Sequence, residues 1–181
     1  MVKSFKITDD ILTPDDKIRI DYRGPNPFRV YGSIPRLMQI FFHGRGLNVF
    51  EDHFKWDITT DPRDFYFVIR FDDMKVDRLT KFNIITITIG RQPSDPNSPD
   101  GMFYMEIKGR IWTEYEFKGI LDKIMGTPFI WLYHRLIYNN VRRRYIQMVR
   151  EWVFKFADSV RKEFGIPSET PELTGASSRV Q

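Results

Sequence analysis

The sequence contains no cysteine, which excludes disulfides, thiolate metal sites and cysteine nucleophiles. It has only three histidines, and it has neither a glycine-rich phosphate loop nor the motif of a serine hydrolase. No apolar run approaches the roughly eighteen residues of a membrane span, and the first ten residues carry charges where a signal peptide needs an apolar core. We therefore expect a cytoplasmic protein with no transmembrane segment, no metal site and no cofactor.

Aromatic residues, in contrast, are abundant. The 181 residues include sixteen phenylalanines and four tryptophans, enough to fill a thick core or to line a large pocket. The length is typical of one domain, which we place at residues 1–165. Residues 166–181 are rich in Ser, Thr, Pro and Glu without an apolar period, so we expect a flexible C-terminal tail.

One long helix is predicted over Thr127–Gly165. Thr127 suits the cap, Pro128 suits the first helical position, and neither Pro nor Gly recurs before Gly165. One face is apolar and rich in aromatics, at spacings of three or four residues: Tyr138, Val141, Tyr145, Val149, Trp152, Phe156 and Val160. The opposite face is mainly basic. The sequence therefore predicts an amphipathic helix that covers an apolar surface.

Alternation of apolar and polar residues predicts strands elsewhere in the chain. The predicted strands are Met1–Leu12, Lys17–Tyr22, Asn48–Ile58, Phe65–Asp77, Phe82–Gly90 and Met102–Tyr115. A bulge is expected at Asp72 and Asp73. Two short tandem helices, Phe28–Tyr31 and Ser33–Phe42, and a further short helix, Phe117–Met125, complete the prediction. Consecutive strands with short turns favour an antiparallel meander with one apolar face, so the expected class is α+β, a curved antiparallel sheet wrapped around the long helix.

Two stretches carry this order of elements, KIRIDYRGPNPFRVYGSIPRLMQIFFHGRG and EYEFKGILDKIMGTPFIWLYHRLIYNNVRRRYIQMVREWVFKF. The order resembles the START or polyketide-cyclase-like superfamily (SRPBCC), whose helix-grip fold has a first strand, two tandem helices, an antiparallel meander and a long C-terminal helix. The resemblance covers Lys17 to Gly165. The family usually has six strands after the tandem helices, whereas this sequence shows four.

The resemblance implies a cavity between the sheet and the helix that binds a hydrophobic small molecule without catalysis. Its lining would be Phe41, Phe42, Phe54, Trp56, Phe67, Ile69, Ile87, Met105, Ile107, Tyr145 and Trp152. The alternative is that the same aromatics fill the space themselves, since protein interiors normally pack tightly. Both interpretations stay open at the level of the sequence.

Two polar residues fall near this predicted lining. Asp52 alternates onto the apolar face, where it is either a cavity acid with a raised pKa or a partner of Arg142 in an ion pair. His134 lies near the helix stripe and is either a structural hydrogen bonder or a ligand contact. A cyclase- or hydratase-like enzyme using Asp52 and His134 ranks last, because no general acid–base pair is evident from their spacing.

The long helix also concentrates positive charge. Between residues 131 and 164 there are eight Lys or Arg and three Asp or Glu, against a net charge of +4 for the whole chain. Arginines contact phosphate without regard to sequence, so Arg142, Arg143, Arg144 and Arg150 predict, as an alternative function, an adaptor that binds RNA or the ribosome. Phe154 among these charges is a candidate partner contact, including contact with a second copy in a homodimer. A simple solvated helix face is the competing interpretation.

Overall fold

The computed structural model describes residues 3–43, 48–117 and 138–168, and these ranges form six β-strands and two α-helices. The strands are β1 (Lys3–Asp10), β2 (Ile18–Arg23), β3 (Val49–Asp57), β4 (Arg63–Lys75), β5 (Thr80–Gln92) and β6 (Met102–Phe117), and the helices are α1 (Val30–Phe41) and α2 (Asn139–Glu163). Every predicted strand is confirmed. Phe117, predicted to begin a helix Phe117–Met125, is the last residue of β6; the rest of that helix, the first part of the predicted helix Thr127–Gly165 and most of the predicted tail lie outside the described residues.

In the described ranges the six strands form one open antiparallel sheet. The meander β3-β4-β5-β6 follows chain order, and β6 is long enough to pair with two strands. β1 pairs with its C-terminal half, from Asp10 opposite Arg110, and β2 pairs with its N-terminal half, from Ile18 opposite Ile107. The two short strands therefore lie end to end along one edge of the sheet, while β3 forms the other edge.

The face that packs against the helices, here called the inner face, carries the core. In β6 every second residue is buried, because apolar and charged residues alternate along the whole strand. The buried inner-face residues of β4, β5 and β6 include Phe65, Phe67, Ile69, Phe71, Phe82, Ile84, Phe103, Met105, Ile107 and Ile111. The opposite side is called the outer face. The α+β class with one apolar sheet face is thus confirmed.

α1 is one helix and not the predicted tandem pair. A 3-10 turn at Pro27–Arg29 runs directly into α1, and Pro35 lies inside the helix. Val30, Ile34, Leu37 and Met38 form a buried stripe that continues across Gly32 and Pro35. Burial of such a stripe outweighs the lower helix propensity of those two residues, which is why the predicted break does not occur.

α2 packs on the inner face and against α1. The ring of Phe156 lies 5.4 Å from that of Phe42, and the ring of Phe164 lies 4.9 Å from those of Tyr22 and Phe103. The carboxylate of Glu163 accepts hydrogen bonds from Ser33 at 2.7 Å and from Arg36 at 2.9 Å, joining the two helices. Neither helix of the described ranges combines the length and the apolar character needed to cross a membrane.

Candidate functional site

The predicted cavity lining divides into a buried group and an accessible group. Five of its members lie on the packed side and are at most 2% exposed: Phe42, Phe67, Ile69, Met105 and Ile107. Three more are half-buried and pack against the same core, namely Phe41, Tyr145 and Trp152. These eight residues therefore lie in one continuous apolar region between the sheet and the helices.

Phe54 and Trp56 lie at the rim of this region, on the edge strand β3. The ring of Trp56 lies 3.9 Å from that of Phe28, and the ring of Phe54 lies 5.3 Å from that of Tyr31. We call these four residues the edge aromatic cluster. Phe54 remains 45% exposed, so the cluster reaches the surface at the free edge of the sheet. An exposed aromatic surface that continues into a core is suited to binding an apolar molecule.

Ile87, also predicted in the lining, lies on the outer face. It pairs in register with Val68 and with Glu106, whereas its neighbour Thr88 pairs with Phe67 and Met105. Thr86 and Thr88 are therefore the inner-face residues of this part of β5, and both are fully buried. The prediction was wrong because Ile and Thr are both β-branched, so alternation alone does not fix which of them points inward.

Asp52 does not lie among the apolar side chains. The register of β3 against β4 shifts between Glu51 and His53, so Asp52 occupies a β-bulge. Its carboxylate lies 3.3 Å from the guanidinium of Arg70, which also bonds Asp72 at 2.8 Å. The predicted ion pair between Asp52 and Arg142 is therefore wrong. The alternative prediction, that Asp52 is an acid inside the cavity, is wrong as well.

Two buried polar atoms on the inner face have no hydrogen-bond partner within the described part of the chain. They are the indole nitrogen of Trp56 and the hydroxyl of Thr88. Thr86 differs, because its hydroxyl donates to the carbonyl of Ile69 at 3.1 Å. An unpaired buried donor is unfavourable by about 1–3 kcal/mol, and most buried polar groups are paired, so these two sites are unusual.

A buried polar network anchors the start of α2, and no pattern in the sequence predicted it. The hydroxyl of Tyr138 lies 2.6 Å from that of Thr80 and donates to Asp77 at 2.7 Å. Thr80 also bonds Thr113 at 3.0 Å. Burial opposes ionisation of Asp77, but hydrogen bonds from Tyr138, Leu79 and Thr80 outweigh it and lower the pKa of Asp77. Burial raises the pKa of Tyr138, which therefore stays a neutral donor.

The basic cluster of α2 is divided between the surface and the interior. Arg142 is buried and forms an ion pair with Asp9 of β1. Arg150 donates to the backbone carbonyls of Ile11 at 2.7 Å and Thr13 at 2.6 Å. Arg143 and Arg144 are exposed, and Phe154 is half-buried. Arg142 thus pairs with β1 and Arg150 holds the loop that follows it, which leaves both arginines unsuited to bind phosphate.

Replacing Arg150 by alanine is expected to lower the free energy of unfolding by about 2 kcal/mol, because two charge-assisted hydrogen bonds are lost. Arg143→Ala is the matched control, since it removes the same charge from an exposed position of the same helix, and it should change the free energy by less than about 0.5 kcal/mol. Urea denaturation monitored by circular dichroism measures both. Equal effects of the two substitutions would show that Arg150 does not fasten this loop.

His134, the remaining predicted site residue, lies outside the described residues, so its role as a structural hydrogen bonder or a ligand contact stays a prediction. Within the described ranges, no three His, Asp or Glu side chains come together in a group able to hold a metal ion. A comparison of the sequence with protein-family models and with curated proteins found no match. The resemblance to the START or polyketide-cyclase-like superfamily therefore stays a prediction, and the function is argued from the geometry alone.

Proposed function

We propose that this protein binds a hydrophobic small molecule, without catalysis, between the inner face of the sheet and the helices that cover it. The observation that carries the proposal is the pair of unpartnered buried donors, the indole nitrogen of Trp56 and the hydroxyl of Thr88. Both belong to the inner face: Thr88 pairs in register with Phe67 and Met105 of the core, and the ring of Trp56 lies against those of Phe28 and Phe65 at the edge of the sheet. A helix-grip arrangement of sheet and helix would suit this role.

The two donors specify the chemistry of the ligand. Leaving each of them buried and unpaired is unfavourable, and an acceptor atom brought by a ligand removes that penalty. The walls around them are apolar, so the body of the ligand must be apolar too. The proposed ligand is therefore a largely hydrocarbon molecule with one or two acceptor oxygens, such as a ketone, an ester or an ether.

The edge aromatic cluster supplies the opening through which the ligand would reach the inner face. β3 is the last strand of the sheet, and the rings of Phe28, Tyr31 and Phe54 cover the gap between it and α1. Tyr31 is restrained because its hydroxyl donates to Glu51 at 2.5 Å, whereas the side chain of Phe54 has no polar group to restrain it and is 45% exposed. Phe54 is thus the ring that turns aside most readily to admit a ligand.

Native mass spectrometry of the protein purified from its own host tests this proposal. A bound species should be seen, and it should dissociate when the protein is denatured. Trp56→Phe and Thr88→Val should each weaken rebinding of the extracted species about ten-fold, as expected for one neutral hydrogen bond. Trp112→Phe is the matched control, because it makes the same change on the outer face, where the ring packs under Lys6.

A mass equal to that of the bare chain, together with higher stability of Thr88→Val, would contradict the proposal. Removing an unpaired hydroxyl from a simple packed core stabilises it. That pair of results would show that the aromatic side chains fill the interior themselves.

A further inference from the structure

The outer face carries a half-open cleft of about 510 Å³ at the end of the sheet where β2 and β3 approach their last residues. Its floor is a row of residues that lie side by side in register across adjacent strands. Tyr66 of β4 pairs with Ile89 of β5, which pairs with Tyr104 of β6. Two tyrosines thus flank one isoleucine on a surface that no helix of the described ranges covers.

The spacing of the two tyrosines fits one flat ring. Adjacent strands lie about 4.8 Å apart, so the two Cα atoms are separated by about 10 Å. Because Ile89 lies midway, a planar ring would rest on its exposed side chain, between the outer parts of the two tyrosine rings and within the range of favourable ring contacts with both. Ile89 between them is 52% exposed, so the tyrosine rings do not close over it. The gap is therefore accessible to a ligand.

Tyr104 is held in position for such a contact. Its hydroxyl donates to Glu106 at 2.5 Å, and Lys17 donates to the same carboxylate at 2.6 Å. These hydrogen bonds lower the pKa of Glu106 to about 2, so it is ionised at neutral pH and remains an acceptor. A ring that is already oriented loses less conformational entropy when a ligand stacks on it.

The positively charged side chain of Arg91 lies next to the gap between the two tyrosines, and a hydrogen bond restrains it. Arg91 follows Ile89 by two residues on β5, so both side chains point to the outer face. Its Nε donates to Asp64 at 2.9 Å, and within the described part of the chain this is the only group it bonds. Its two terminal nitrogens have no protein partner within the described residues, and they suit an anionic group of a ligand.

The remaining charges around the cleft limit how much negative charge it accepts. Three cations, Arg23, Lys55 and Arg91, are balanced by three carboxylates, Asp21, Asp57 and Asp64. A polyanion would place further phosphates beside these carboxylates, which disfavours it. A compact ligand with one anionic group avoids that repulsion.

We propose that this cleft binds a planar aromatic molecule that carries one anionic group, with the ring between Tyr66 and Tyr104 and the anion on Arg91. The site is separate from the inner face, so the inference does not rest on the proposed function. The substitutions that test it leave the inner face unchanged, and failure of one proposal says nothing about the other.

Isothermal titration calorimetry with adenosine monophosphate tests the inference. Binding to the unaltered protein is expected, and ribose phosphate, which lacks the ring, and adenosine, which lacks the anion, should each bind at least five-fold more weakly. Tyr66→Leu and Tyr104→Leu should each weaken binding of adenosine monophosphate about five-fold or more, and Arg91→Gln about ten-fold. Phe50→Leu and Arg110→Gln are the controls, since they change an exposed ring and an exposed cation elsewhere on the outer face.

Three results would overturn the inference. The first is no heat of binding with millimolar adenosine monophosphate. The second is equal binding by the tyrosine variants and the Phe50→Leu control. The third is binding of single-stranded polyadenylate more than ten-fold tighter than the mononucleotide, which would identify a nucleic-acid surface in place of a site for one anion.

Discussion

Replacing Phe42 by alanine is expected to lower the free energy of unfolding by about 4 kcal/mol, the typical effect of removing a fully buried ring. Phe42 directly follows α1 and is 0% exposed. Its ring lies 5.3 Å from that of Phe71, 6.0 Å from that of Phe82 and 5.4 Å from that of Phe156. One side chain thus joins α1 to β4, β5 and α2, and urea denaturation measures its contribution.

The size of this effect also distinguishes a packed core from a cavity. Phe41 precedes Phe42 and is only half-buried, so Phe41→Ala is a matched control expected to cost about half as much. If Phe42→Ala costs less than about 1 kcal/mol, the ring borders empty or ligand-filled space, because few contacts are then lost. A loss near 4 kcal/mol, measured on protein without a bound ligand, would instead show that the core around Phe42 is tightly packed. Any cavity would then lie closer to the edge aromatic cluster.

The strand and helix order was predictable because most strands alternate strongly between apolar and charged residues. β6 is the clearest case, since Phe103, Met105 and Ile107 alternate with Tyr104, Glu106 and Lys108, and the structure has the predicted face inward. The bulge predicted at Asp72 and Asp73 is also confirmed by the register shift between Phe71 and Met74. Alternation of this kind determines the face of a strand without knowledge of its neighbours.

Where apolar and polar residues alternate only weakly, pairing with the neighbouring strands determines which side chains point to the inner face. In β5 the isoleucines at 85, 87 and 89 alternate with threonines, and the register with Phe67 and Met105 turns Thr88 inward. In β3 the bulge at Asp52 places Phe50 opposite Arg70 on the outer face, although Phe54 and Trp56 lie on the inner face. A bulge changes the phase of a strand at one residue, and periodicity that assumes a regular strand misses it.

The buried residues of α2 were also predicted only in part from the sequence. The predicted stripe included Tyr145 and Trp152, which are half-buried, and omitted Arg142, Val153, Ala157 and Arg161, which are buried. Arginine is buried here because partners from distant strands are present: Asp9 pairs with Arg142, and the carbonyl of Arg19 accepts from Arg161 at 3.3 Å. Such partners depend on tertiary structure, so charge patterning alone placed Arg161 on the basic face and offered Asp52 in place of Asp9 as the ion-pair partner of Arg142.

Replacing Asp9 by alanine is expected to lower the free energy of unfolding by about 2 kcal/mol, because the side chain of Arg142 is buried although that of Asp9 is 36% exposed, so solvent screens part of the ion pair. Arg142 is buried, and burial lowers the pKa of its guanidinium, which shows that the surroundings disfavour its charge. Its Nε also has no hydrogen-bond partner within the described residues. Without Asp9 the charge has no compensating carboxylate, so most of the loss arises from Arg142.

A double-mutant cycle separates that contribution from other effects of the substitution. In an Arg142→Met background, Asp9→Ala should cost less than about 1 kcal/mol, because the apolar side chain fills the site and no buried charge remains. Asp15→Ala, at an exposed position of the loop after β1, is the control and should change stability by less than about 0.5 kcal/mol. If Asp9→Ala costs the same in both backgrounds, the ion pair does not fix β1 to α2.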